Sequence, residues 1–261
     1  MKRAFLLFGY AFLYLPIALL VAWSFNDSRL VTVWGGFSLR WYGELAHDSR
    51  FLDAAFLSLK VAASSATLAT LLGTLAALAL VRFGDFRGRV VFTGLLAAPL
   101  VMPEVITGLA LLLMFVALEQ AVGWPEGRGF ITVVLAHTTI SMAFVTVVVR
   151  ARLGQIDPSL EEAAQDLGAR PAKAFLAVTL PLILPSLAAG WLLAFTLSLD
   201  DVVVSQFVTG PGTTTLPIEV FSSVRLGVSP EINALGSVIV FVVGIGIVVA
   251  WRLTRKGEPS S

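Results

Sequence analysis

The sequence predicts an all-α integral membrane protein with six transmembrane helices, and three observations lead there. Apolar residues make up 57% of the 261 and charged residues only 13%, with a mean hydropathy of +0.89. An ordinary soluble domain is about 45–50% apolar and about 25% charged. Six apolar runs are long enough to cross a bilayer, for which about 20 residues are needed. The 18 Lys and Arg residues also fall unevenly on the loops that these runs define, which is how an inserted chain records its orientation.

The runs are Ala4–Phe25, Ala55–Val81, Val90–Leu118, Phe130–Val149, Leu182–Val208 and Ile232–Trp251. The first follows Lys2 and Arg3 like a signal peptide, but its apolar stretch is too long and no small-residue cleavage site closes it, so it reads as an anchor. With the N-terminus inside, twelve Lys and Arg lie on the cytoplasmic side and six on the outer side. Both termini are therefore expected in the cytoplasm. The net charge of +1 says nothing about partners, and with no cysteine the chain offers neither disulfides nor thiolate chemistry. His47 and His137 are too few and too far apart for a metal site, and His137 reads as a packed, hydrogen-bonded residue of the fourth run.

The organisation expected is an N-terminal helix with an outer interfacial loop (1–54), a transmembrane domain (55–254) and a short polar tail (255–261). In the outer loop, Phe37, Leu39, Trp41, Tyr42 and Leu45 alternate with polar residues, a pattern that suits aromatic side chains at headgroup level. The third run contains Pro99 and Pro103, each of which removes a backbone hydrogen bond and bends the helix. Glu104 beside them falls near mid-bilayer, where a carboxylate faces a bundle interior or a path rather than lipid. The segment GPGTTT after the fifth run lacks the Gly-Lys of a phosphate loop, and no nucleotide-binding or nucleic-acid-binding signature is evident.

Between the fourth and fifth runs, residues 151–181 carry helix punctuation instead of linker composition. Asp157 can cap, Pro158 suits a first helical position, and Glu161 and Glu162 favour the positive end of a helix. Gly168 is a natural stop, and Pro171 opens a second short helix toward the membrane. A helix–turn–helix outside the bilayer follows, with an acidic, alanine-rich face that includes Ala163, Ala164 and Asp166 and is flanked by Arg170.

This loop resembles the EAA loop of ABC-importer permeases: Glu162-Ala163-Ala164, then Gly168, Val178 and Leu180-Pro181 at the family's spacing, with Val in place of the more usual Ile. The resemblance implies the type I importer permease fold and a coupling helix seated in a separate cytoplasmic ATPase, with Glu161, Glu162, Ala163, Ala164, Asp166, Gly168, Arg170 and Pro171 as the coupling residues. It implies further partners: a second homologous permease subunit, two ATP-binding subunits and a periplasmic or extracellular substrate-binding protein. The chain itself would be no enzyme and hold no cofactor, ATP being bound by the partner. Ser198–Leu235, FSLRWYGEL and LVMPEVITGLALLLMF also resemble polyamine-importer permeases, particularly the putrescine type. That second likeness implies a putrescine or spermidine substrate and a bacterial inner-membrane location.

Asp200 and Asp201 are adjacent, and adjacent helical residues point about 100° apart. Steps of three and four give a small or polar stripe of Gly190, Ala194, Ser198, Asp201 and Ser205, which is first a helix-packing surface and also what lines a narrow polar route. Two readings stand: both aspartates pair structurally, or they form an acidic approach for a protonated diamine with Glu104 as a deeper station. On the stripe, Asp201 is expected to face the path and Asp200 to need a pairing partner. An importer of another cationic or amino-acid-derived solute, a self-sufficient secondary transporter using these carboxylates, and an intramembrane hydrolase are the alternatives.

Overall fold

The computed structural model describes residues 2–30, 33–226 and 230–255, and the described residues are helical apart from loops and one isolated bridge between Asn26 and Phe37. The helices are α1 (Lys2–Trp23), α2 (Arg40–His47), α3 (Ser49–Arg82), α4 (Arg89–Val101), α5 (Glu104–Val122), α6 (Phe130–Leu153), α7 (Ser159–Asp166), α8 (Pro171–Ala174), α9 (Leu180–Asp200), α10 (Val203–Val208), α11 (Leu216–Leu226) and α12 (Pro230–Arg255). The chain divides into two compact units, one of residues 1–53 and 219–261, the other of residues 54–218.

Among the described residues, five helical stretches are long and apolar enough to cross a membrane: Phe5–Trp23, Ser49–Arg82, Glu104–Val122, Phe130–Leu153 and Pro171–Asp200. The sixth expected run, Ile232–Trp251, falls within α12 (Pro230–Arg255), which is not one of those five. Of the expected tail, residues 256–261 lie outside the described residues.

Two expected runs are each interrupted. The third is broken, not merely bent: α4 stops at Val101 and α5 starts at Glu104, because Pro103 has no N–H to continue the ladder and takes an extended ψ of 137°. The fifth ends at Asp200, and a separate α10 starts at Val203. Here the cause is Asp201, whose carboxylate accepts the amides of Val204 (3.3 Å) and Ser205 (2.7 Å), amides that a continuous helix would have bonded to its own carbonyls. At its other end the fifth run is longer than expected. The second short helix foreseen at Pro171 is continuous with α9 through a π-helical turn at Phe175–Thr179, so the segment forms one stretch of 30 residues.

In the larger unit, α3, α6 and α9 enclose a core of Ala66, Ala69, Ala77, Val149, Leu153 and Ile183. Small side chains let these helices approach, as membrane packing requires where no hydrophobic force acts between helices. Gly73 shows how close: a Cβ there would lie 2.9 Å from Val145 Cβ and 3.0 Å from the Met142 carbonyl oxygen. A second core of Val61, Leu111, Phe115, Val133, Val204 and Val208 seats α10 against α3, α5 and α6. The Thr132 hydroxyl donates to the Val208 carbonyl at 2.7 Å and fixes the far end of α10.

The smaller unit corrects the outer-loop expectation. Trp41 and Leu45 are buried, and α2 presents them inward while Phe37 and Leu39 stay exposed. The Trp41 indole N–H donates to the Asn26 carbonyl at 2.6 Å, and the Ser24 and Tyr42 hydroxyls meet at 2.6 Å. A buried indole needs such a partner, so only part of that aromatic set is left for headgroups.

Candidate functional site

Both helix breaks open on one cavity of about 490 Å³ in the larger unit. Its polar lining comprises Glu104, His137, Ser141, Ser198, Asp200 and Asp201, and Ile140, Phe144 and Leu197 supply apolar wall. Broken spanning helices are tolerated where they line a cavity, because there the freed carbonyls find water or ligand. The carbonyl ends of α4 and α9 lie at this lining, and helix C-termini carry partial negative charge.

Both carboxylates line the cavity, in different surroundings. Asp201 is held in place: besides the Val204 and Ser205 amides it meets His137 Nε2 at 3.2 Å, with its side chain only 15% exposed. Asp200 is exposed, lines the cavity and makes no side-chain hydrogen bond or ion pair among the described residues. The helix breaks at Asp201, yet Ser198, Asp201 and Ser205 stay on one side, where all three meet His137. Gly190, Ala194 and Ser198 are buried, and Gly190 lies against Val145 of α6, so the stripe packs along most of its length and reaches the cavity at Ser198 and Asp201. Ser205 is wholly buried and off the cavity, where its hydroxyl meets His137 Nε2 at 2.9 Å. Glu104 is exposed on the first turn of α5, whose positive end its carboxylate complements.

Two residues here were read as packing or passed over. His137 is buried and hydrogen-bonded, as its place in the fourth run suggested, yet its partners are the residues of the helix break. Ser141, one turn further along α6, is 2% exposed, lines the cavity and has no hydrogen-bond partner among the described residues. A polar pair at i and i+4 in an apolar helix was the available signal.

The loop between the fourth and fifth runs forms the helix its punctuation foretold. The Asp157 carboxylate accepts the Ser159 amide at 2.9 Å, and the Ser159 amide and hydroxyl together hold that carboxyl below its ordinary range. At the other end Gly168 takes φ +91°, its amide donates to Gln165, and the Ala169 amide reaches back to Ala164 at 3.0 Å. This pair of bonds is a Schellman stop. Glu162, Ala163, Asp166, Gly168, Arg170 and Pro171 are exposed, and Ala164 is half-buried. Glu161 turns inward, with its carboxylate 3.0 Å from an Arg82 guanidinium nitrogen and accepting from the Thr179 hydroxyl. Leu167, which the motif reading did not single out, is 91% exposed at the tip. No group of three or more metal-ligating side chains occurs among the described residues.

Comparison with known proteins adds the following. Residues 69–258 match the family described as "Binding-protein-dependent transport system inner membrane component". The chain is 58% identical over 253 residues to the "Putrescine transport system permease protein PotI" of Escherichia coli (strain K12), covering 97% of this chain and 90% of that protein. It is 42% identical over 258 residues to the "Spermidine/putrescine transport system permease protein PotC" of the same organism, covering 99% and 95%. Its fold is similar to that of a chain of a bacterial ABC transporter involved in the import of the acidic polysaccharide alginate, with a TM-score of 0.72 at 18% identity, covering 99% of this chain and 95% of that one.

Proposed function

The chain belongs to the binding-protein-dependent transport system inner membrane components, and on that premise we propose that it is the permease subunit of an ATP-driven importer of polyamines. The observation that carries the solute assignment is the cavity at the two helix breaks, where the Asp200 and Glu104 carboxylates stand among apolar walls with no partner among the described residues. A protonated diamine is a methylene chain with an ammonium at each end, and this lining offers a partner to each part. The fold alone does not choose the solute, since a structural neighbour belongs to a transporter of an acidic polysaccharide. The choice falls to local charge, and the relatives named for putrescine and spermidine transport support the same reading.

In this reading the chain crosses the inner membrane six times with both termini in the cytoplasm, which puts α7 on the cytoplasmic side. The exposed face of α7 and the tip at Leu167 would seat in an ATPase subunit, two of which serve this chain and a second homologous permease. An outer binding protein delivers the solute. Exposed carboxylates at Asp200 and Glu104 fit a chain that shares its path with a second permease, because charge facing lipid is costly. Chemistry at ATP belongs to the partners, and this chain contributes geometry and a weak cation station.

The test is purification through a tag on this chain, followed by uptake in vesicles containing the whole complex. An ATP-hydrolysing subunit is expected to co-purify, and labelled putrescine or spermidine to enter only with ATP, while unrelated amino acids do not. Amino-acid uptake without polyamine uptake would overturn the solute assignment, and uptake by this chain alone, without ATP, would overturn the importer reading.

A further inference from the structure

We infer that His137 is the positioning residue of the transport site: its ring splints the break between α9 and α10 and so fixes Asp200 at the cavity. The inference deepens the function proposed above and rests on it for the transport readout only.

The backbone ladder of the fifth run stops at Asp200 and restarts at Val203. Something outside the broken helix must hold the two pieces in register. α6 can do so, because its 24 residues contain neither Pro nor Gly and are continuous from Phe130 to Leu153. From it His137 contacts both sides of the break. Nδ1 lies 2.6 Å from the Ser198 hydroxyl on α9, and Nε2 lies 2.9 Å from the Ser205 hydroxyl on α10 and 3.2 Å from the Asp201 carboxylate between them. One imidazole thus spans Ser198 to Ser205, which no other side chain among the described residues does.

The contacts form a connected network. The Ser65 hydroxyl of α3 reaches the Ser198 hydroxyl at 3.2 Å and the Ala62 carbonyl at 3.3 Å, and Ser198 in turn meets Nδ1. Nε2 faces both the Ser205 hydroxyl and the Asp201 carboxylate, which also accepts the two α10 amides. A histidine that only filled space would not need partners on both sides of a discontinuity. This one also stands on the cavity lining beside Asp201, one residue from Asp200.

The experiment uses the assembled complex, with His137→Leu, His137→Asn, His137→Gln and Ser205→Ala in this chain. Backbone hydrogen exchange is read over residues 201–208, with residues 145–153 of α6 as the internal reference, and uptake of labelled putrescine is normalised to assembled complex. His137→Leu is expected to speed exchange over 201–208 by about tenfold, the factor that one hydrogen bond at the upper end of the usual net strength produces. The maximal uptake rate should fall with the half-saturating concentration unchanged, because the solute is still delivered while the path is misaligned.

Gln can place an amide near the Nε2 position and Asn only near Nδ1. His137→Gln should therefore restore protection and rate, and His137→Asn should behave like His137→Leu. Ser205→Ala removes one far-side partner with little change in volume and should show a smaller change in the same direction, which keeps the test open if the leucine variant does not assemble. Unchanged exchange over 201–208 in His137→Leu, rescue by Asn in place of Gln, or, where His137→Leu does not assemble, no effect of Ser205→Ala would overturn the inference. Altered exchange with unaltered uptake would overturn the positioning role at Asp200. Absence of putrescine uptake in the unmodified complex would instead count against the proposed solute, and the exchange result would still decide the splint.

Discussion

Gly168→Leu is expected to leave the protein inserted and assembled in the proposed complex but to abolish most solute-stimulated ATP hydrolysis and uptake. Gly168 holds φ +91° as the last link of the Schellman stop, a backbone conformation that costs an L-residue roughly 1–2 kcal/mol. No atom lies within 4 Å of where its Cβ would go, so the effect comes from the backbone and not from a clash. Relieving the strain should unwind the end of α7 and move Leu167, the exposed apolar tip that the proposed function seats in the ATPase. Gly168→Asn, which tolerates the left-handed region better, should keep more activity than Gly168→Leu. The readouts are complex yield, stimulated ATP hydrolysis and uptake. Leucine at 168 with unchanged uptake would remove α7 from the coupling path.

The two aspartates should fail in different ways when each is made its neutral isostere. Asp201→Asn withdraws charge from two backbone amides and a buried imidazole, and hydrogen bonds to charged groups are worth about 1.5–3 kcal/mol each. Its expected signature is a low yield of folded complex. Asp200→Asn disturbs no bond among the described residues, so yield stays normal while polyamine uptake per complex falls by about tenfold, the worth of one partly solvated charge contact. Normal yield of Asp201→Asn together with poor yield of Asp200→Asn would return the roles to those the helical stripe suggested.

What the stripe left out is the helix break, and the reason is physical. The stripe extended a 3.6-residue period through Asp201, but an aspartate that competes for backbone amides can end a helix, and no periodicity shows which competitor wins. The break at Pro103 was partly legible because proline removes a donor wherever it sits. Five of the expected spans, the α7 punctuation and the stop at Gly168 were readable for the same reason: hydrophobic length, capping chemistry and a left-handed glycine act locally. Contacts across elements were not readable. Nothing near Glu161 in sequence announces Arg82 or Thr179, and His137 lies more than sixty residues from the serines and the aspartate it joins. The burial of Trp41 was hidden likewise, since its partner carbonyl at Asn26 lies across a loop.

The most direct measurement of the central claim, that polyamine passes through the cavity at the helix breaks, is protection of Ser141→Cys from a cationic thiol reagent. The chain has no native cysteine, so the introduced one reports alone. In the assembled complex, putrescine should slow the labelling of position 141, and the uncharged diol of the same chain length should not. Labelling that is equally fast with and without putrescine, in complexes that still import it, would contradict the account.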